Sequence, residues 1–196
     1  MKLAIIVGST REGRRTLKQA KWALATAQKI ADVTAEIVDL KDYPMPFFDE
    51  PGSPRYNPNR QIHPVAQKWL NKLTEFDAYL FVTAEYNHSI PAVLKNAIDY
   101  VDFQFVHKPA AIIAHGSAGG GRAQVHLKVI LSESKAAVVP TLPSMAIVGM
   151  GDKIDEDGNL SATEAANPYG PQAGLEDLLT DLKWYSDALA AARAKS

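Results

Sequence analysis

The stretch KLAIIVGSTREGRRT, residues 2–16, holds a strand, a polar turn and the opening of a helix. Lys2–Val7 is apolar, rich in β-branched residues and stopped by Gly8, the pattern of a strand buried on both faces. Thr16 then precedes Ala20, Ala23, Leu24, Ala27 and Ile30 at helical spacing, which predicts a helix capped near Thr16. The alternation continues outward from this unit. Residues 34–40 read as a second strand, 64–73 as a helix with Val65, Trp69 and Leu73 on one face, and 78–83 (AYLFVT) as a fully apolar strand. Residues 91–101 open with a proline suited to a first helical turn. Residues 110–114 (AAIIA) give another apolar strand, 123–131 a helix, 137–139 and 145–148 short strands, and 175–194 a helix rich in alanine and leucine. Strand followed by helix, repeated, predicts an α/β fold: a doubly wound parallel sheet with helices on both faces and right-handed crossovers.

Composition sets the bounds. A chain of 196 residues and 21.3 kDa has room for one domain, taken as 1–196, with a full-sized core. Twenty-one basic against twenty-two acidic residues leave a net charge of -1. That balance argues against a nucleic-acid partner, which calls for a basic excess, and against a strongly acidic electron carrier steered by charge. The chain has no cysteine, so disulfides, thiol catalysis, iron–sulfur clusters and cysteine zinc sites are excluded. A cytoplasmic location is the expectation. No apolar run approaches the ~20 residues of a membrane span, and the first residues do not read as a signal peptide. Residues 42–60 carry Pro44, Pro46, Pro51, Pro54 and Pro58 together with Met45, Phe47 and Phe48, which predicts a long but ordered loop.

Ligands of such sheets bind beyond the carboxyl ends of the strands. The three most apolar strands each run into an unusual loop there. The first, residues 8–16, gathers the hydroxyls of Ser9, Thr10 and Thr16 with Arg11, Arg14 and Arg15 at a helix start, where free N–H groups and the positive dipole end favour an anion. It matches neither a P-loop nor a dinucleotide fingerprint, so a terminal monophosphate fits it best. The second loop, Ala84, Glu85, Tyr86, Asn87, His88 and Ser89, can offer backbone groups and an aromatic face to a flat heterocycle. His88 has no acid or nucleophile motif beside it and reads as a solvated histidine or a subunit contact. The third loop has four glycines among residues 116–121, which lets a backbone approach a ligand closely.

Gly-Ser-Thr-Arg at 8–11, Glu-Tyr-Asn-His-Ser-Ile-Pro at 85–91 running into Leu-Lys-Asn-Ala-Ile-Asp at 94–99, and the glycine loop together resemble the NADPH-dependent FMN reductase family. The resemblance implies a flavodoxin-like fold with a five-stranded parallel sheet and spans at least residues 1–133. It implies that the FMN phosphate is held by Ser9, Arg11, Arg14 and Thr16. It implies further that Ala84, Glu85, Tyr86 and Asn87 line the isoalloxazine and ribityl groups, with Gly116, Ser117, Ala118 and Gly119 along the other ring edge. The family usually has proline where this chain has Ala84; alanine restores an N–H and loosens the loop. The implied activity is an FMN-dependent oxidoreductase moving electrons from NADPH or NADH to quinones or similar small acceptors. The alternative is an FMN-binding electron carrier or redox-sensing partner with no NAD(P)H turnover of its own. The cofactor carries that chemistry, so no catalytic acid or base is assigned. Arg55 and Arg60 are the candidates for a 2′-phosphate.

Two further expectations concern the periphery. Aromatic and apolar residues in 42–60 and 100–106 (Tyr43, Phe47, Phe48, Tyr56, Tyr100, Val101, Phe103, Phe105, Val106) exceed what one small surface should show, and with the resemblance they imply a homodimer or homotetramer. Residues 155–159 look like part of a calcium loop, with Glu164 at the twelfth position but Lys153 at the first. A cation in the leading ligand position spoils that reading and leaves a hairpin or ordered surface loop.

Overall fold

Buried strands at the sequence's apolar runs organise the molecule. The computed structural model describes residues 1–57, 59–139 and 153–195. Its elements are β1 (Lys2–Val7), α1 (Thr16–Ala27), β2 (Thr34–Asp39), α2 (Pro64–Thr74), β3 (Ala78–Ala84), α3 (Ala92–Asp99), β4 (Pro109–His115), α4 (Gly121–Glu133), β5 (Ala137–Val138), α5 (Ala162–Ala166) and α6 (Pro171–Arg193). All strand pairs are parallel, in the order β2-β1-β3-β4-β5. The doubly wound five-stranded sheet expected from the sequence is therefore present. The expected strand at 145–148 lies outside the described residues.

The pleat sends alternate residues to two cores. Ala4, Ile6, Tyr79, Phe81, Ala110, Ile112 and Ala114 pack with Trp69, Leu73, Leu94, Leu127 and Leu131 from α2, α3 and α4. Leu3, Ile5, Val7, Leu80, Val82, Ala111 and Ile113 pack with Ala20, Ala23, Leu175, Leu179 and Leu182 from α1 and α6. Every residue of β3 is buried, which is why AYLFVT shows no alternation. Buried polar tips are partnered here: Trp69 Nε1 donates to Ala97 O at 2.9 Å and the Tyr79 hydroxyl to Leu73 O at 2.7 Å. Burial drives the Tyr79 phenol far above its ordinary pKa, and the Asp77 charge adds to this.

The helix starts differ in detail from the sequence expectations. Thr16 is the first helical residue rather than the cap; Arg15 occupies the cap position without a side-chain hydrogen bond. Pro91 stands one residue before α3, with extended backbone. The last helix begins at Pro171, four residues earlier than its apolar stripe. Residues 40–57 form a strap with two short 3₁₀ turns at Leu40–Asp42 and Pro54–Tyr56. Asn96 holds it from α3, accepting from Phe48 N at 2.8 Å and donating to Pro46 O at 2.7 Å. Arg60 is 4% exposed and grips Glu50, with Nε–Oε2 at 2.8 Å, while its Nη1 donates to Tyr100 O at 3.0 Å.

The segment after residue 152 is a hairpin. Ile154 and Leu160 pair antiparallel around Asp155, which accepts from the N–H groups of Asp157 and Asn159. Lys153 and Glu164, the first and twelfth positions of the rejected calcium loop, form an ion pair with each other. The ammonium stands where the cation's charge would be needed. Gly158 turns at φ +88 against α1, where a Cβ would meet Trp22 N at 2.6 Å.

Candidate functional site

The three loops meet at the carboxyl ends of β1, β3 and β4, as the topology requires. Gly8 N donates to Val82 O at 2.8 Å, which fixes the start of the first loop against β3. Ser9 is fully buried, and its Oγ lies 2.8 Å from the Tyr86 hydroxyl of the second loop. The Arg11 guanidinium sits over the Tyr86 ring, 5.4 Å from its centroid. Loops one and two are thus joined through Ser9, Arg11 and Tyr86, 77 residues apart for the Ser9–Tyr86 bond. Arg14 turns to Asp39 at the end of β2 and forms an ion pair there. Thr16 is fully buried, and its Oγ1 has no hydrogen-bond partner.

The second loop is a two-residue hairpin. Tyr86 N donates to Ser89 O at 2.9 Å, Ser89 N donates back at 3.1 Å, and both central residues have positive φ (Asn87 49°, His88 67°). That is a type I′ turn, which aspartate, asparagine and glycine fill most easily. His88 is exposed on it, matching the solvated reading. Glu85 N donates to His115 O at 2.7 Å, so the second loop leaves the sheet still attached to β4. The Glu85 carboxylate reaches the start of α4, taking Arg122 N at 3.2 Å and Arg122 Nη1 at 3.1 Å. Burial on its own would raise the Glu85 pKa; the Arg122 side chain and the N–H groups of Ala123 and Arg122 outweigh it and hold the carboxyl below the ordinary value.

The glycine loop closes the floor. Gly119 N donates to Gly116 O at 3.0 Å, and Gly119 and Gly120 have φ of 91° and 77°. A Cβ on Gly120 would stand 2.5 Å from His115 N, so the loop lies directly on the strand end. His115 itself has a buried Nε2 without a partner. Burial first, then the charges of Arg15 and Arg11, push its pKa down to about 4, so the imidazole is neutral at pH 7.

The structure brings together the predicted Ser9, Arg11, Thr16, Ala84, Glu85, Tyr86, Asn87, Gly116, Ser117, Ala118 and Gly119 on these three adjacent loops, and binds Arg14 to β2. Sequence reasoning missed Asp39, Arg122 and His115. Only Arg122 carried a local signal, as the charged residue ending the glycine run. Arg60, a candidate for a 2′-phosphate, is instead buried and engaged by Glu50, with Asp102 Oδ2 at 3.5 Å. The aromatics of 42–60 and 100–106 divide. Phe48, Tyr100 and Phe105 pack inward, whereas Phe47 (79%), Tyr56 (85%) and Phe103 (63%) are exposed.

Strand order 2-1-3-4-5, with a helix start suited to an anion and two backbone-rich loops at the same sheet end, defines a flavodoxin-like α/β protein. Residues 1–148 match the model of the NADPH-dependent FMN reductases, and the chain belongs to that family. It is 31% identical over 189 residues to an NAD(P)H-dependent FMN reductase of Nectria sp, covering 92% of this chain and 93% of that one. It is 31% identical over 169 residues to a 2-hydroxy-1,4-benzoquinone reductase of Burkholderia sp, covering 82% and 85%. Among solved structures, the flavoenzyme NAD(P)H:(acceptor) oxidoreductase FerB from Paracoccus denitrificans superposes with a TM-score of 0.71 over 97% of both chains at 22% identity, a likeness of fold.

Proposed function

We propose that the protein is an FMN-dependent oxidoreductase that takes electrons from NAD(P)H and delivers them to quinones or similar small planar acceptors. The observation that carries this reading is the unpartnered Thr16 hydroxyl, fully buried at the start of α1. A hydroxyl without a partner in a buried, positively biased helix start fits a phosphate oxygen. Family membership and the names of the relatives support the same cofactor and donor.

Bound FMN would supply the hydride acceptance and the onward electron delivery. The chain's own part is to bind and orient. Thr16 and the first N–H groups of α1 would take the phosphate, with Arg11 adding a charge-assisted contact. Ser9 is partly spent on Tyr86, so its role is to hold the first loop against the second. Arg14 is engaged by Asp39 and would shape the loop from behind. The backbones of Ala84 to Asn87 and Gly116 to Ala118 would face the two edges of the ring, with Glu85 fixing their separation through Arg122. The exposed Phe47, Tyr56 and Phe103 support a homodimer or homotetramer.

The test is direct. Purified protein should be yellow or should quench added FMN fluorescence, and should oxidise NADPH or NADH in the presence of a benzoquinone. A colourless protein with no quenching would overturn the reading. Bound FMN without NAD(P)H oxidation would favour an electron carrier.

A further inference from the structure

Four buried polar atoms on or beside the first loop have no hydrogen-bond partner: Arg14 Nε, whose guanidinium is already paired with Asp39 through Nη2, and Thr16 Oγ1, Gln19 Oε1 and His115 Nε2. The last three lie toward one face of the sheet for a topological reason. Along β4, Ala111 and Ile113 face the core under α1 and α6, and His115 is the next residue on that same face. Helix α1 lies on this face with Ala20 and Ala23 inward, and its first and fourth residues are Thr16 and Gln19, both buried. The imidazole therefore sits on the α1 side of the sheet, in the field of Arg11 and Arg15. Gly120 packs on the backbone of His115, and Glu85 N ties that backbone to the second loop.

A buried N–H or hydroxyl left without an acceptor is a lasting cost to a fold. With the imidazole proton placed on Nε2, His115 and Thr16 are two such groups in the field of two arginines, and they call for an anionic oxygen. We propose that His115 is a ligand of the flavin's phosphate, with Nε2–H donating to a phosphate oxygen that Thr16 Oγ1 also serves. Gln19 Oε1 can only accept, so it takes a donor, which the hydroxylated chain next to a phosphate ester provides. This assignment rests on the FMN reading above. It adds to the helix start a neutral donor from the far strand, so that the phosphate is held from α1 and β4 together.

Fluorescence titration of the apoprotein with FMN and with riboflavin tests it. His115→Phe keeps a flat ring but has no donor; it should weaken FMN by roughly tenfold, the factor of one lost hydrogen bond to a charged group, and leave riboflavin unchanged. His115→Gln, which offers an N–H, should recover part of the FMN loss. Unchanged FMN affinity in His115→Phe overturns the proposal, as does an equal loss for FMN and riboflavin, which would mark an effect on the ring site. Should His115→Phe fail to fold, the Nε2 resonance of ¹⁵N-histidine-labelled wild type decides: it should move on addition of FMN and stay fixed with riboflavin, and an unmoved resonance with bound FMN overturns the assignment. Wild type that binds no flavin at all fails differently, since it overturns the FMN reading itself.

Discussion

Thr16 loses stability to keep a hydroxyl where no protein group meets it. Valine has the same shape without the hydroxyl, so Thr16→Val should raise apoprotein stability by about 1 kcal/mol, read as a higher melting temperature, because an unsatisfied buried polar group is removed. The same substitution should weaken FMN. A variant that melts lower, or binds FMN as before, counts against the role given to Thr16. His115 makes a pH prediction of definite sign. Its folded pKa of about 4 lies below the unfolded value near 6.5, so between the two the unfolded chain binds more protons. The stability it allows is fully present above about pH 6.5 and is lost as pH falls toward 4, by roughly 3 kcal/mol in all. The charges of Arg15 and Arg11 oppose the proton, and the carboxylate of the adjoining loop, Glu85, is already held by Arg122. Denaturant melts of the apoprotein from pH 7 to pH 4.5 should fall more steeply for wild type than for His115→Gln. Neither residue's environment was legible in the sequence, because partners in space are set by strand order. Arg14 and Asp39 are 25 residues apart and meet only because β2 lies beside β1.

Elements were readable to the extent that burial was one-sided or complete. The runs at β1, β3 and β4 are continuous apolar segments closed by a turn, which gives the bounds of β1 and places β3 and β4 to within one residue at each end. The five-residue α5 has no apolar period and no buried residue, so periodicity cannot find it, although Ser161 with Glu164 three residues on is a capping signature. The glycine loop was legible as permissive backbone; its positive φ at Gly120 and its contact with His115 were not. Gly120→Ala should be severe, since it puts a Cβ 2.5 Å from His115 N and forces a non-glycine residue to φ +77. We expect a loss of more than about 2 kcal/mol by denaturant unfolding, with FMN binding lost as well. Stability close to wild type would show that the loop can leave the strand end. The strap makes a second prediction. Arg60→Met leaves Glu50, 8% exposed, without its cation and should cost about 3–5 kcal/mol, whereas replacing both residues by apolar ones should recover much of it. A double-mutant cycle measures the difference.

At the scale of the whole molecule, the same strap presents apolar surface that the fold leaves uncovered. Phe48 is turned in against Tyr100, with ring centroids 5.2 Å apart and edge-on, while its neighbour Phe47 is 79% exposed. Because Asn96 fixes the backbone on either side, at Pro46 O and Phe48 N, Phe47 is held out rather than loosely placed. Tyr56 on the strap and Phe103 after α3 are exposed too, and Arg55 Nε ties these segments together by donating to Asp102 O at 3.1 Å. Rigid, exposed aromatics suit an interface, since little side-chain entropy is lost when they are covered. The net charge of -1 raises no barrier to self-association. A second copy of the chain is therefore the expected cover, and wild type should scatter light as a dimer or tetramer at micromolar concentration. Phe47→Asp combined with Phe103→Asp should shift it to the mass of one chain. Since both rings are exposed, far-ultraviolet circular dichroism of the variant should not change. A wild-type mass of one chain, or an assembly untouched by the two aspartates, would refute this interface.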